Sequence, residues 1–273
     1  MTSVPDAGDP GSPPGIAVAL SGGGARTIAH IGVLRVLASE GIPVGRIAGT
    51  SGGGLIAVLF AAGYPLLDLE RDALSIEWRR LAELRPHPLG LLATEKLGEF
   101  VARRIGELRF EALRIPCAVV AADLTAGGRR VFDRGPVVPA VRATCAVPEF
   151  YRPVELDGHI LVDGGVVEPL PVETVLGLDP QARLPCLAVN VLPRVVDQGA
   201  PRHPLQLLGR ITGIVQQELA RRAAAAADWS VEPELSGFTF FGLDNAEGLL
   251  AAGAAAVRAQ LPRLRERLRA APA

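Results

Sequence analysis

The chain has 273 residues, 49% hydrophobic and 21% charged, with 28 basic against 29 acidic side chains and a formal net charge of -1. That balance excludes a protein that neutralises nucleic-acid phosphates through a general basic excess, so no nucleic-acid partner is expected. With 31 glycines and 23 prolines the composition also stays below the share that marks low complexity, and the length fits one folded domain over 16–270.

Residues 1–15 are rich in Pro, Gly, Ser and Asp and lack both a basic start and an apolar h-region, which predicts a disordered tail with no export signal. The apolar run 16–20 predicts a buried strand that ends in Ser21-Gly22-Gly23-Gly24, and Ile28, Ile31, Leu34 and Leu37 then recur at helical spacing up to Gly41. A second strand (44–48), a second glycine turn (49–53) and an apolar helix (54–62) repeat the unit. Residues 66–110 read as amphipathic helix broken at Pro86 and Pro88. Strands are then expected at 117–122, 130–132, 154–162 and 186–191, with helices at 137–144 and 172–178 between them. A long helix over 204–227, a short strand near Trp229 and a terminal helix over 246–268 complete the chain. Strands that alternate with helices in this way indicate an α/β fold with three layers around a mostly parallel sheet. No apolar run reaches the length of a membrane span.

Two of these turns carry chemistry. Gly49-Thr50-Ser51-Gly52-Gly53 fits the G-x-S-x-G elbow, where glycines let the chain turn sharply enough to present a serine hydroxyl between a strand and a helix N-terminus. A serine hydroxyl is a weak nucleophile at neutral pH and needs a base and donors for the oxyanion it creates. The amides of Gly22, Gly23 and Gly24, also between a strand and a helix, are candidates for those donors. The same turn does not complete G-x-G-x-x-G, because Thr27 stands where the third glycine belongs, and no G-K-[ST] follows.

For the base, Asp163 ends the apolar run 160–162 just before Gly164-Gly165, which suits either a general base at a strand end or an ordinary turn aspartate. His30 falls inside the first helix, His87 between two prolines, His159 in a polar hairpin and His203 in a proline-flanked loop. A Ser51, Asp163, His203 order is a second assembly. No H-E-x-x-H or paired C-x-x-C spacing occurs, so neither metal nor organic cofactor is expected. Cys117, Cys145 and Cys186, odd in number and set in apolar runs, fit reduced thiols in a cytoplasmic protein.

Four blocks in order resemble the patatin-like phospholipase family: Ser21-Gly22-Gly23-Gly24-Ala25-Arg26 with His30-Ile31-Gly32-Val33-Leu34; Gly49-Thr50-Ser51-Gly52-Gly53; Ala122-Asp123-Leu124-Thr125-Ala126-Gly127 with Ala140-Val141-Arg142-Ala143 and Pro148; and Asp163-Gly164-Gly165 with Pro169-Leu170-Pro171-Val172. The resemblance implies a three-layer α/β/α fold and a histidine-free Ser51/Asp163 dyad that cleaves acyl esters of phospholipids, lysophospholipids or neutral lipids. It further implies an oxyanion hole from Gly22, Gly23, Gly24 and Gly52, with Arg26, Gly49, Gly53 and Gly164 in support. A lipid substrate implies transient contact with a membrane surface, which for a cytoplasmic protein is the inner one. The terminal helix, with Leu261, Leu264 and Leu268 between arginines, reads either as an interfacial helix or as one docked on the core.

The chain departs from the family pattern at Thr27, where glycine is usual and where a positive φ would strain a β-branched side chain. Cys145, Glu149 and Glu168 depart too, at positions commonly serine, glycine and asparagine or aspartate. The competing expectation is a catalytically silent protein that keeps the fold for lipid binding or regulation. A thioester or peptide substrate would use the same residues.

Overall fold

The computed structural model describes residues 15–77, 81–181, 184–193 and 200–270; the tail expected over 1–15 lies outside them except for Gly15. Strand β1 (Ile16–Leu20) leads through a 3-10 turn (Gly24–Thr27) into α1 (Ile28–Ser39), and β2 (Val44–Thr50) turns directly into α2 (Gly52–Ala61). Further along come β5 (Cys117–Asp123), β6 (Gly128–Phe132), α5 (Val137–Thr144), β7 (Val154–Leu156) and β8 (His159–Asp163). These follow α3 (Leu66–Ser75), β3 (Glu83–His87), β4 (Gly90–Ala93) and α4 (Glu95–Ile105). The last part holds α6 (Val172–Gly177), β9 (Cys186–Val189), α7 (Pro204–Ala224), β10 (Trp229–Val231) and α8 (Ala246–Ala270).

The main sheet runs β10-β9-β1-β2-β5-β8-β7, with β6 also paired to β5. The pairings from β10 to β5 are parallel, whereas β6, β8 and β7 join antiparallel. Helices cover both faces, which makes the protein a three-layer α/β/α sandwich around a mostly parallel sheet. The alternation in β1 shows why both faces are needed. Ile16, Val18 and Leu20 enter the core shared with α1, α2 and α8, while Ala17 and Ala19 point to the opposite face against α6 and α7. Small residues recur on that second face at Ala48, Ala118 and Ala188. Successive strand residues point to opposite faces, so a strand buried on both sides reads as one unbroken apolar run.

Two stretches differ from expectation. Residues 83–93, expected as broken helix, form the separate β3–β4 hairpin, in which Leu84 pairs with Leu92 and His87 with Gly90. Pro86 and Pro88 cannot continue a helix, and a two-stranded hairpin offers edge positions that tolerate a missing amide. The run 154–162 folds back on itself, because Asp157 (φ 52°) and Gly158 (φ 79°) make a two-residue turn between Leu156 and His159. The terminal helix is docked: Leu249, Leu250, Val257, Leu261 and Leu264 are buried, so that face is unavailable to a lipid surface. Its backbone presses on α1, where a Cβ at Gly32 would lie 2.1 Å from the Leu250 carbonyl oxygen. Among the described residues no helix is long and apolar enough to cross a membrane.

Candidate active site

The register of β5 brings Ser51 and Asp163 together. β2 runs parallel to β5 as far as Thr50 opposite Val120, while β8 runs antiparallel from Leu161 opposite Asp123 to Asp163 opposite Ala121. β6 occupies the other edge of β5 from Val119 to Asp123. β2 and β8 therefore share one edge and meet end to end, and Ser51, the residue after Thr50, arrives against Asp163. Both side chains are nearly closed off from solvent, at 6% and 5% exposure.

Ser51 has φ 56° and ψ −131°, backbone that residues with a side chain rarely adopt, at a cost of about 1–3 kcal/mol. Surrounding bonds hold it there. Its amide donates to Thr144 Oγ1 at 2.9 Å, the Thr144 hydroxyl donates in turn to the Val120 carbonyl, and the Ser51 carbonyl accepts the Leu55 amide at 3.1 Å. Gly53 lets the two glycine turns touch, since a Cβ there would sit 2.4 Å from the Ser21 carbonyl oxygen. Gly49 and Gly164 are likewise pressed against backbone, of Gly53 and Val120 respectively.

Asp163 accepts the Gly165 amide on Oδ1 at 2.7 Å, while Oδ2 is buried without a hydrogen bond of good geometry. Burial pushes this carboxyl up to about 6, against the opposing pull of the neighbouring Ser51 hydroxyl and the Gly165 amide. Burial, reinforced by the Asp163 charge, also pushes the Cys145 thiol well above its usual range, which keeps it protonated.

In the first glycine turn the Gly22 amide, expected to face the oxyanion, instead donates to the Pro169 carbonyl oxygen at 3.0 Å. Gly22 serves the site by lacking a side chain, because a Cβ there would press on the Ser51 Cβ at 3.3 Å. The amides of Gly23 and Gly24 have no acceptor among the described residues. Gly24 has φ 59°, and a Cβ at this position would lie 2.4 Å from the Phe240 carbonyl oxygen, so only glycine fits. Arg26 is buried in the 3-10 turn, where its amide donates to Gly23. The Gly52 amide opens the first turn of α2, where helix geometry leaves N–H groups without internal partners.

Thr27 has φ −62°, ordinary helical backbone, and so carries no strain. Its hydroxyl donates to the Gly24 carbonyl oxygen at 2.6 Å, and its side chain packs where a Cβ on Gly52 would otherwise go. Glu149 does pay for its position, with φ 73°. Glu168 is satisfied by Arg129 at 3.0 Å and by the Thr174 amide and hydroxyl at the start of α6.

The histidines are engaged elsewhere. His30 Nε2 donates to the Ser21 carbonyl oxygen at 2.9 Å, and burial pushes its pKa down to about 4, so it is neutral. His159 pairs with Asp123 at 2.6 Å, His203 caps α7 by accepting the Gln206 amide, and His87 accepts the Leu89 amide. The Ser51, Asp163, His203 assembly is therefore not formed. Among the described residues no group of three His, Cys, Asp or Glu side chains could hold a metal ion.

Ser51, Gly52 and Gly24 line one apolar cavity that is partly open to solvent. Phe150, Phe240 and Phe241 also line it; Phe240 and Phe241 stack edge-on, as do Phe150 and Phe241, with centroids 4.9 Å apart in each pair. Sequence reasoning singled out neither these rings nor Thr144.

A profile of the family described as patatin-like phospholipase matches residues 18–176, a stretch that contains both glycine turns and Asp163. The chain belongs to this family. It is 39% identical over 171 residues to an uncharacterized NTE family protein of Mycobacterium tuberculosis, covering 62% of this chain and 47% of that one. It is 29% identical over 163 residues to a lysophospholipase of Saccharomyces cerevisiae, covering 58% of this chain and 10% of that one. The chain thus spans about half or less of the length of these curated relatives. Among solved structures, the type III effector protein ExoU superposes with a TM-score of 0.51 at 14% identity, covering 92% of this chain and 53% of that one, a likeness of fold.

Proposed function

We propose that the protein is a serine acyl hydrolase of lipid esters, with Ser51 as nucleophile and Asp163 as base. The observation that carries this reading is the end-to-end meeting of β2 and β8, which sets a strained, buried serine against a carboxyl pushed up to about 6. At pH 7 such a carboxyl is still mostly ionised, yet it is a better proton acceptor than an ordinary aspartate. The proton of Ser51 passes to Asp163 as Oγ bonds to the ester carbonyl carbon. The oxyanion that forms takes hydrogen bonds from the amides of Gly23, Gly24 and Gly52. Collapse breaks the ester C–O bond, the leaving alcohol takes the proton from Asp163, and an acyl-enzyme remains. Water then gives a proton to Asp163 as its oxygen bonds to the acyl carbon, and collapse breaks the bond to Oγ, returns that proton from Asp163 to Ser51 and releases the fatty acid.

The apolar cavity behind Ser51 suits a hydrocarbon acyl group, and the family to which the chain belongs and the lysophospholipase among its relatives favour a lipid ester. The relaxed backbone of Thr27 removes the reason to expect a silent protein. The test is labelling with a fluorophosphonate probe followed by mass mapping. Stoichiometric modification of Ser51 in the wild type is expected; a folded protein that stays unlabelled would favour a lipid-binding role without catalysis.

A further inference from the structure

The cavity that opens at Ser51 runs between helices. Leu55, Ile56 and Leu59 present one face of α2, Leu69 and Ala73 one face of α3 at helical spacing, and Ile76 follows just past the end of α3. From Gly52 to Leu59 is seven residues, so the α2 side alone extends about 10 Å from the nucleophile. Within the apolar lining one carboxyl interrupts the α3 face. Asp72 sits between Leu69 and Ala73, and its charge is fully engaged: Tyr64 donates to it at 2.9 Å, Arg104 Nη2 at 2.6 Å, and Arg104 Nε also bonds it. The Arg104 guanidinium in turn lies 3.4 Å from the centroid of the Phe100 ring.

Behind this group is a second cavity of a different kind. It is open and polar, flanked by Lys96, Glu99 and Arg103, and it shares Asp72, Ile76 and Phe100 with the first. These three residues, with Arg104, are thus a partition between an apolar channel and a polar cleft. A hydrocarbon tail can replace none of the hydrogen bonds that satisfy Asp72 and Arg104, so pushing past them means breaking a half-buried, hydrogen-bonded ion pair with nothing to take its place on the apolar side.

We propose that the partition of Asp72, Arg104 and Phe100 closes the far end of this cavity and so fixes the longest acyl chain it accepts. The part of the proposal that concerns ester hydrolysis rests on the serine hydrolase reading; the binding part does not. Ala73 and Phe100 are the specificity-determining positions. A leucine at 73 projects into the channel ahead of the partition, and loss of the Phe100 ring opens a way into the polar cleft.

Two readouts separate this proposal from the hydrolase reading. In the Ser51→Ala protein, displacement of a fluorescent fatty acid by saturated fatty acids of increasing length reports chain binding without catalysis. In the wild type, hydrolysis of p-nitrophenyl esters of the same lengths reports the reaction. Both are expected to fall sharply past one chain length. Ala73→Leu should lower the long-to-short ratio by about tenfold, and Phe100→Ala should raise it by a similar factor, since a methylene or two in an apolar pocket is worth about that much. Thermal melts show which variants fold, and Ala73→Leu, which adds atoms at a position lining the cavity instead of removing a packed ring, keeps the test alive if loss of the ring is not tolerated. Ratios unchanged in folded variants would overturn the proposal even with hydrolysis intact. Shifted binding ratios in a protein that hydrolyses no ester would support the acyl site and refute the hydrolase reading.

Discussion

At the Ser51 end of the cavity, Ser51 and Asp163 hang on backbone: both follow from the register of β5, and the turns around them touch carbonyl to glycine. At the far end, Asp72, Tyr64, Arg104 and Phe100 meet through side chains alone, on helices and a loop with no ladder between them. A hydrogen-bonded ladder fixes position to a fraction of a residue, whereas packed helices can shift with a change of side-chain volume. On the proposed reading, chemistry and selectivity are built on separable parts, and substitutions at one end should leave the function of the other in place.

The strongest way to break that separation is at Ser51. Ser51→Ala should lower ester hydrolysis by about 10⁴- to 10⁶-fold and abolish fluorophosphonate labelling, while fatty-acid binding in the channel persists. Asp163→Asn comes next, with a fall in kcat of about 10³- to 10⁴-fold and a gain in stability that depends on pH. The sign follows from the raised pKa. With a value of about 6 in the folded state against 3.8 ordinarily, the folded protein binds this proton more tightly than the unfolded chain. Stability is then lost as pH rises from about 4 to about 6, to a total of about 3 kcal/mol. Asparagine avoids that loss and keeps the bond from Gly165, so the variant should melt several degrees higher than wild type at pH 8, with the gap closing near pH 4.

Thr144→Val should act more mildly. It leaves the buried Ser51 amide and the Val120 carbonyl without their shared hydroxyl, which costs about 1–3 kcal/mol, and loosens the elbow enough to lower kcat about tenfold. The smallest effect is expected at Glu149. Glu149→Gly relieves a positive φ worth roughly 1 kcal/mol and should raise the urea midpoint slightly with ester hydrolysis unchanged.

The same division explains what the sequence disclosed. Ser51 was legible because it sits between glycines at the end of an apolar run, a local pattern with a local cause, whereas the same kind of pattern left Asp163 open as an ordinary turn aspartate, and the family resemblance was needed to pair the two. Strands β1, β2 and β5 were legible because burial on both faces leaves an unbroken apolar run. The β3–β4 hairpin was not, since its exposed leucines mimic an amphipathic helix broken by proline. Gly22 was misjudged as a donor because its acceptor, Pro169, lies far along the chain, and Thr144 escaped notice for a similar reason. The partition at Asp72 joins residues on α3, α4 and the loop before α3, and nothing in any one segment marks it.

The most direct test is the pH dependence of kcat/KM for a short-chain ester, measured from about pH 4.5 to 9 in the wild type and in Asp163→Asn. A single rise to a plateau with an inflection at about 6 is predicted for the wild type, with that inflection absent and only residual turnover in the asparagine variant. An inflection that survives in Asp163→Asn, or near-normal turnover there, would mean that another group takes the proton from Ser51 and would contradict the account.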